Sequence, residues 1–435
     1  MLETQSLQLL TEALAQLDEG FAGLPAFEAD IPGKERMSAV LAEVAARLHD
    51  NFPYFHPLYA GQMLKPPHPV ARAAYALATW VNPNNHALDG GRASSAMEKE
   101  AVAQIAAMFG WHTHLGHLTS SGTMANLEAL WVAGQLRPGK TILASEQAHY
   151  THERISGVLQ LPFGKVAADP RGRMDIAALE ARLAAGDAGC VVATLGTTGM
   201  GAVDPLPEIL ALREQYGFRV HVDGAYGGYF GLAGNLGEDA REAFNHAGQA
   251  DSIVIDPHKH GLQPYGCGCV LFDDPAVGAL YRHDSPYTYF SSKDLHLGEI
   301  SLECSRAGAA AVALWATMRL LPLWVGGEFA AGLEASRRAA LELARRLSAD
   351  DRWILLCEPE LDIVVWAPRT GSAQRIFEEA ARLGLDLALV RMQVGGESRL
   401  CLRSVLMKPE HEAWLDAIML RLDRAFTLAQ AGEQL

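Results

Sequence analysis

No apolar run in this 435-residue chain is long enough to span a bilayer. Residues 1–14 are acidic and amphipathic, without the basic start and continuous apolar core of a signal peptide, so no export signal is expected. Basic residues are the minority, 36 Lys and Arg against 51 Asp and Glu, for a net charge of −15. Nucleic acid needs a basic face, which excludes it as the main partner. Cysteines number six, mostly inside apolar strand-like runs, which predicts reduced, buried thiols and a cytoplasmic protein. Cys267-Gly268-Cys269 lacks the spacing and partners of a zinc site. His112, His114 and His117 have no Cys or carboxylate among them, so no metal is expected. Gly199-Met200-Gly201 is too short for the G-x-G-x-x-G turn of a dinucleotide site, so NAD is not expected either.

What remains is a soluble-type composition, 49% apolar and 20% charged, in a chain long enough for a large core and more than one subdomain. Residues 252–255 are a short run rich in β-branched side chains, stopped by Asp256-Pro257, and read as a buried strand that delivers Lys259 into a site. Lys259 lies between His258 and His260 and precedes another apolar run at 267–272. Desolvation disfavours an ammonium, so a lysine held between buried strands can become a nucleophilic amine able to form a Schiff base. Taken alone, such a lysine is more often a solvated surface residue. About thirty residues upstream, the strand-like run 218–222 ends in Asp223-Gly224-Ala225-Tyr226-Gly227-Gly228. A carboxylate at a strand end, followed by small residues, can meet a flat ring closely. Pyridoxal phosphate (PLP) needs both devices: a lysine for its aldehyde and a carboxylate that keeps its pyridine nitrogen protonated.

Two further stretches suit the same cofactor. Ser120-Ser121-Gly122-Thr123 opens a helix, where free N–H groups and the helix dipole favour a phosphate; an ordinary N-cap would use the same residues. The strand-like run 141–144 leads to His149, whose imidazole is placed to lie over a ring.

These motifs, with Thr194-Leu195-Gly196-Thr197-Thr198, Val203-Asp204 and Phe55-His56-Pro57, fall in an order that resembles the group II PLP-dependent amino-acid decarboxylases. That family includes the aromatic-amino-acid, tyrosine, glutamate and histidine decarboxylases. The similarity runs from about residue 50 onward, with Gly224 standing where Ala is common. The resemblance implies an α/β fold of the PLP-dependent transferase-like fold type I: a mostly parallel sheet wrapped by helices, with a small C-terminal α/β domain. It implies decarboxylation of an L-amino acid to its amine through an external aldimine. Lys259, Asp223, Ala225, His149, Thr198, Gly122, Thr123 and His258 take the cofactor-binding positions, Lys259 and His149 being catalytic as well. A loop tyrosine, Tyr287 or Tyr289, is the candidate proton donor to the substrate carbanion. His56 and Arg403 are candidate substrate contacts, with Phe55 and Tyr59 near the entrance. A homodimer with its active site at the subunit interface is implied too. Two alternatives stay open: a PLP-dependent carbon–carbon lyase acting on an amino-alcohol phosphate, and a non-catalytic relative.

Three parts are expected: a helical arm at 1–60, a large PLP-binding domain at 61–325 and a small domain at 326–435. A capping box is predicted at Ser95 and Glu98, opening a helix.

Overall fold

The β-branched runs become the centre of the molecule. In the computed structural model, which describes residues 4–27, 33–86, 90–282, 301–394 and 397–431, seven strands form one sheet. They are β1 (Leu115–Thr119), β2 (Thr141–Ser145), β3 (Phe163–Val166), β4 (Ala188–Thr194), β5 (Arg219–Gly224), β6 (Ser252–Ile255) and β7 (Gly268–Phe272). Their order is β1-β7-β6-β5-β4-β2-β3, and only β7 runs against its neighbours. Helices join successive parallel strands and cover the faces, which is why β4 and β6 read as continuous apolar runs rather than alternating ones. Each Leu, Ile or Phe fully buried here contributes about 1.5–3 kcal/mol.

Register sets the rim on which a site can form. Thr194 at the end of β4 pairs with Asp223, and Gly224 at the end of β5 pairs with Ile255 at the end of β6. Thr119 ends β1 opposite Gly268, so β1 feeds the helix Gly122–Leu136 from the same edge. The chain passes so close there that a Cβ on Gly268 would lie 2.5 Å from the backbone of Ser121. Carboxyl ends of parallel strands are where such sheets bind ligands.

A second sheet of four antiparallel strands, β8 (Trp353–Leu355), β9 (Ile363–Pro368), β10 (Ala388–Val394) and β11 (Glu397–Val405), has the order β10-β11-β9-β8. Helices Glu328–Ser348, Ala373–Arg382 and His411–Ala431 pack with it around Trp353, Trp366 and Leu343. The segment just before residue 61 belongs to this unit by its bonds. The N–H groups of Ala60 and Val405 donate to Asp386 and Ala60 at 2.9 and 2.7 Å, and Asp386 donates to Leu58 at 3.0 Å. Helix Thr4–Glu19 packs on helix Pro69–Thr79, but neither it nor helix Lys34–Leu48 has a buried residue.

The predicted capping box does not form. The helix starts at Arg92 with Gly91 as N-cap and no side-chain cap. Glu98 is instead buried against Arg306, 2.5 Å away, and accepts from Asn85 and from the N–H of Leu118 at 2.6 and 3.0 Å. Arg306 also donates to the carbonyls of Leu118 and Asn85. The charge that capped nothing thus ties the strap after residue 300 to the end of β1. Burial pushes the Glu98 carboxyl up, but the charge and hydrogen bond of Arg306 outweigh it and hold the group below its usual range. A carboxylate with a lowered folded pKa stabilises above its unfolded value of about 4.3, and that stability is lost as pH falls through the folded value. Glu98→Ala leaves Arg306 buried without its counter-charge. We expect a loss of about 3–5 kcal/mol in urea unfolding at neutral pH, and a shallower loss of stability on acidification than in the unsubstituted protein. A variant within about 0.5 kcal/mol would show that the pair is not a clamp.

Candidate active site

Five segments meet at the strand ends and line a cavity of about 180 Å³. Lys259, Asp223, Ala225, His149, Thr198, Gly122, Thr123 and His258 all line it, drawn from segments as far apart in sequence as residues 122 and 259. Two larger cavities of about 610 Å³ lie elsewhere. The small one is singled out by its chemistry: a lysine, a buried carboxylate, a helix N-terminus and two imidazoles face one space.

Asp223 is set by the register of β5. It is 4% exposed, and both its oxygens have donors. Oδ1 accepts from the N–H of Ala225 at 3.1 Å, and Oδ2 from Nε2 of His152 at 2.8 Å. Burial raises the carboxyl, yet the bond from His152 and the nearby charges of His152 and Lys259 win and keep it well below the usual carboxylate range. The group is therefore an anion near neutral pH. The sequence pairs His152, fully buried one turn beyond His149, with that residue but assigns it no role. Nothing in its helical run announced a partner 71 residues away. The only available signal was a His-x-x-His spacing, which puts both rings on one side of a helical turn.

His149 keeps Nδ1 bonded to the hydroxyl of Thr151 at 2.8 Å, which fixes the plane of its ring. Burial lowers its pKa, so it is a neutral imidazole near pH 7. His258 bonds the carbonyl of Cys267 at 2.7 Å, and burial lowers its pKa as well. Lys259 is less enclosed than the strand pattern predicted. Its side chain keeps 21% exposure, and Nζ lies 3.0 Å from Oδ2 of Asp256. Oδ1 of that aspartate is buried without a partner among the described residues.

Ser121 caps the helix Gly122–Leu136 by accepting from the N–H of Met124 at 3.3 Å. The capping reading and the phosphate reading are both satisfied, because the N–H groups of the first turn still face the cavity side. A Cβ on Gly122 would sit 2.5 Å from the Asp256 carboxylate, so only glycine fits. Gly122→Ala is expected to push Asp256 off Lys259 and to weaken PLP binding about tenfold to a hundredfold, from about 1–3 kcal/mol of overpacking. Fluorescence titration of the apoprotein with PLP checks this; an unchanged affinity would place the phosphate elsewhere.

Thr198 lies on a loop held from behind. Asp204, fully buried, accepts from the N–H groups of Thr194 and Met174 at 2.8 and 2.7 Å, tying the turn after β4 to the end of that strand and to the segment before helix Ile176–Leu183. Arg403 donates to the carbonyls of Thr198 and Gly61 and to Oε1 of Gln62, at 2.7, 3.3 and 2.7 Å. It does not line the cavity; it touches it only through Thr198. His56 does not line it either. Its Nδ1 accepts from the N–H of Leu58, and its ring meets Trp414 edge-on at 4.7 Å. Tyr287 and Tyr289 lie outside the described residues. Of the three histidines considered for metal, His117 is buried against Glu128 at 2.8 Å, and Tyr281 shares that carboxylate.

The residues fit PLP on their own geometry. An ionised carboxylate suits a pyridinium N–H, a lysine shares the same cavity, and a glycine-opened helix end suits a phosphate. Comparisons with known proteins point the same way. The chain is similar to an L-tyrosine decarboxylase of Enterococcus faecium, 29% identical over 410 residues, covering 70% of this chain and 67% of that one. It is also similar to a probable L-aspartate decarboxylase of Thermococcus gammatolerans, 27% identical, covering 81% and 90% of the two chains. Among solved structures, Oryza sativa TDC with PLP and tryptamine superposes with a TM-score of 0.80 at 18% identity, over 98% of this chain and 97% of that one. A sphingosine-1-phosphate lyase of Burkholderia pseudomallei gives 0.76 at 18% identity, over 95% of each chain, so the fold alone does not separate the two reactions. The sequence profile described as "Pyridoxal-dependent decarboxylase conserved domain" matches residues 49–368, which takes in β1 to β9 and every residue lining the cavity. With cavity and profile in agreement, the chain belongs to the pyridoxal-dependent decarboxylases, carboxy-lyases whose cofactor is pyridoxal phosphate.

Proposed function

We propose that this protein removes the carboxylate of an L-amino acid as carbon dioxide and releases the corresponding amine. The observation that supports it most is the shared lining of one cavity by Lys259 and by an Asp223 held ionised through His152. When bound, PLP supplies an electron sink for the electrons left at the α-carbon. The chain supplies the rest. Asp223 holds a proton at the pyridine nitrogen, and His152 holds Asp223. The N–H groups at Gly122 and Thr123 bind the phosphate. His149, neutral and fixed by Thr151, is the residue that would lie against the cofactor ring. Lys259 is the amine that would hold the cofactor's aldehyde. Arg403 acts here as a positioning residue that sets Thr198, while His56 remains a candidate substrate contact.

Tyr287 or Tyr289 is proposed as the donor that protonates the α-carbon. Tyr287→Phe and Tyr289→Phe, assayed separately, decide between them: loss of the donor lowers kcat about 10²–10⁴-fold, and two unaffected variants would remove both from the mechanism. A homodimer is part of the same proposal. Leu7, Met37, Val40, Leu41, Val44 and Leu48 are 45–63% exposed along the two N-terminal helices, an apolar row suited to a second copy. Light scattering giving a monomer mass at micromolar concentration would contradict it. Cytoplasmic residence is supported by six free cysteines. Among the described residues no helix is long and apolar enough to cross a membrane.

Carbon dioxide release from a panel of L-amino acids, aromatic, acidic and basic, with PLP present, tests the reaction. Release from one of them, with the amine as co-product, supports the proposal. Silence across the panel, with carbon–carbon cleavage of an amino-alcohol phosphate instead, would replace it by the lyase reading.

A further inference from the structure

A cavity of about 610 Å³ lies between the large sheet's domain and the C-terminal unit, behind the residue that follows Lys259. Lys65 and Lys408 both line it. Lys65 donates to the carbonyl of Met407 at 3.2 Å, and Lys408, only 3% exposed, to the carbonyl of Tyr59 at 2.6 Å. Among the described residues neither ammonium has an ion-pair partner. Each therefore has one hydrogen bond to an uncharged oxygen and two N–H groups without a protein acceptor. Burial lowers Lys65 to about 8. Burial, and then the charge of Lys65 itself, lower Lys408 to about 7. Glu328 and Glu410 also line the cavity; Asp362 and, less strongly, Glu410 act on Lys65 through space and Glu410 acts on Lys408, but none of the three pairs with either lysine. Two like charges brought together, Lys408 buried and Lys65 half-buried, destabilise a fold unless something neutralises them.

His68 and Arg72 line it too, and its apolar wall is formed by Phe55, Leu262, Leu321, Phe329 and Leu333. We propose that this cavity binds a small organic carboxylate, its oxygens between Lys65 and Lys408 and its apolar body against Phe329 and Leu262. The volume suits a ligand of metabolite size. The site is separate from the PLP cavity but shares a wall with it. His260 lines the new cavity, and its Nε2 lies 3.2 Å from Asp362. Tyr226, which lines the PLP cavity, donates to the same aspartate at 2.6 Å. The inference does not depend on which reaction the PLP site performs.

The test uses the full-length holoprotein, with phenylacetate as probe and benzyl alcohol as its uncharged counterpart, read by calorimetry at pH 7. Phenylacetate should bind saturably, and benzyl alcohol at least about tenfold more weakly. Lys65→Met and Lys408→Met should each weaken phenylacetate about tenfold or more, the scale of one charged hydrogen bond. Lys259→Ala should bind it unchanged. Should a methionine variant fail to fold, Gly332→Trp, which fills the cavity from a half-exposed helix position, must abolish binding instead. No binding to the unsubstituted protein, undiminished binding to either methionine variant, or loss of binding in Lys259→Ala would each overturn the proposal. The last would place the probe in the PLP cavity.

Discussion

Lys259→Ala abolishes carbon dioxide release and leaves the purified protein colourless, with its melting temperature nearly unchanged. The expected loss of rate is on the order of 10³-fold or more, because one side chain serves both as covalent carrier and as the group that returns the product. The small effect on stability follows from its surroundings. The Lys259 side chain is 21% exposed, and its partner Asp256 is also within 3.5 Å of His258. Removing the lysine exposes a carboxylate to a cavity that water can enter, a milder event than orphaning a charge in a dry core. Absorbance, a rate assay and a thermal melt on one sample check all three parts. A variant that still turns over at a tenth of the normal rate would show that another lysine carries the cofactor.

Asp223→Ala is the second large effect, and it differs in kind. We expect kcat to fall about 10²–10⁴-fold, since the proton at the pyridine nitrogen is no longer held. We also expect a loss of about 3–5 kcal/mol of stability, since His152 would be buried with both ring nitrogens unsatisfied. Asp223→Glu separates the two effects by restoring the charge out of register. The pH dependence follows from the sign of the shift. A carboxylate whose folded pKa is depressed stays ionised until the pH falls below its unfolded value of about 3.9. The acid limb of the rate profile above pH 5 therefore belongs to another group, and Asp223→Glu should leave its midpoint in place. A midpoint that moves with this substitution would contradict the assignment.

Much of this site was legible because its parts are local. The apolar runs at 141–145, 188–194 and 252–255 form strands with nearly the expected bounds, and loops after parallel strands deliver residues to one rim. Strands β3 and β10 were not read. Lys165 in the first, and Arg391 and Gln393 in the second, break the apolar pattern, and their pairing with β2 and β11 is a tertiary matter. What the sequence could not show is which long-range partner claims a polar side chain. His152 is claimed by Asp223, Glu98 by Arg306 instead of its own helix end, and Arg403 by the backbone behind Thr198. Each choice depends on how loops far apart in the chain converge, so local spacing carries no trace of it. The lysine pair at 65 and 408 is the extreme case: it exists only because the segment before the first large-domain helix folds against the C-terminal unit.

The claim on which the account rests is that PLP is carried by Lys259 and by no other lysine. Borohydride reduction of the holoprotein, followed by peptide mass mapping, reads this directly. The account predicts one pyridoxyl phosphate modification, on the peptide holding Lys259, and none on Lys65 or Lys408, although burial lowers both of those and makes them the competing amines. Modification at either of those two, or no modification at all, would contradict it.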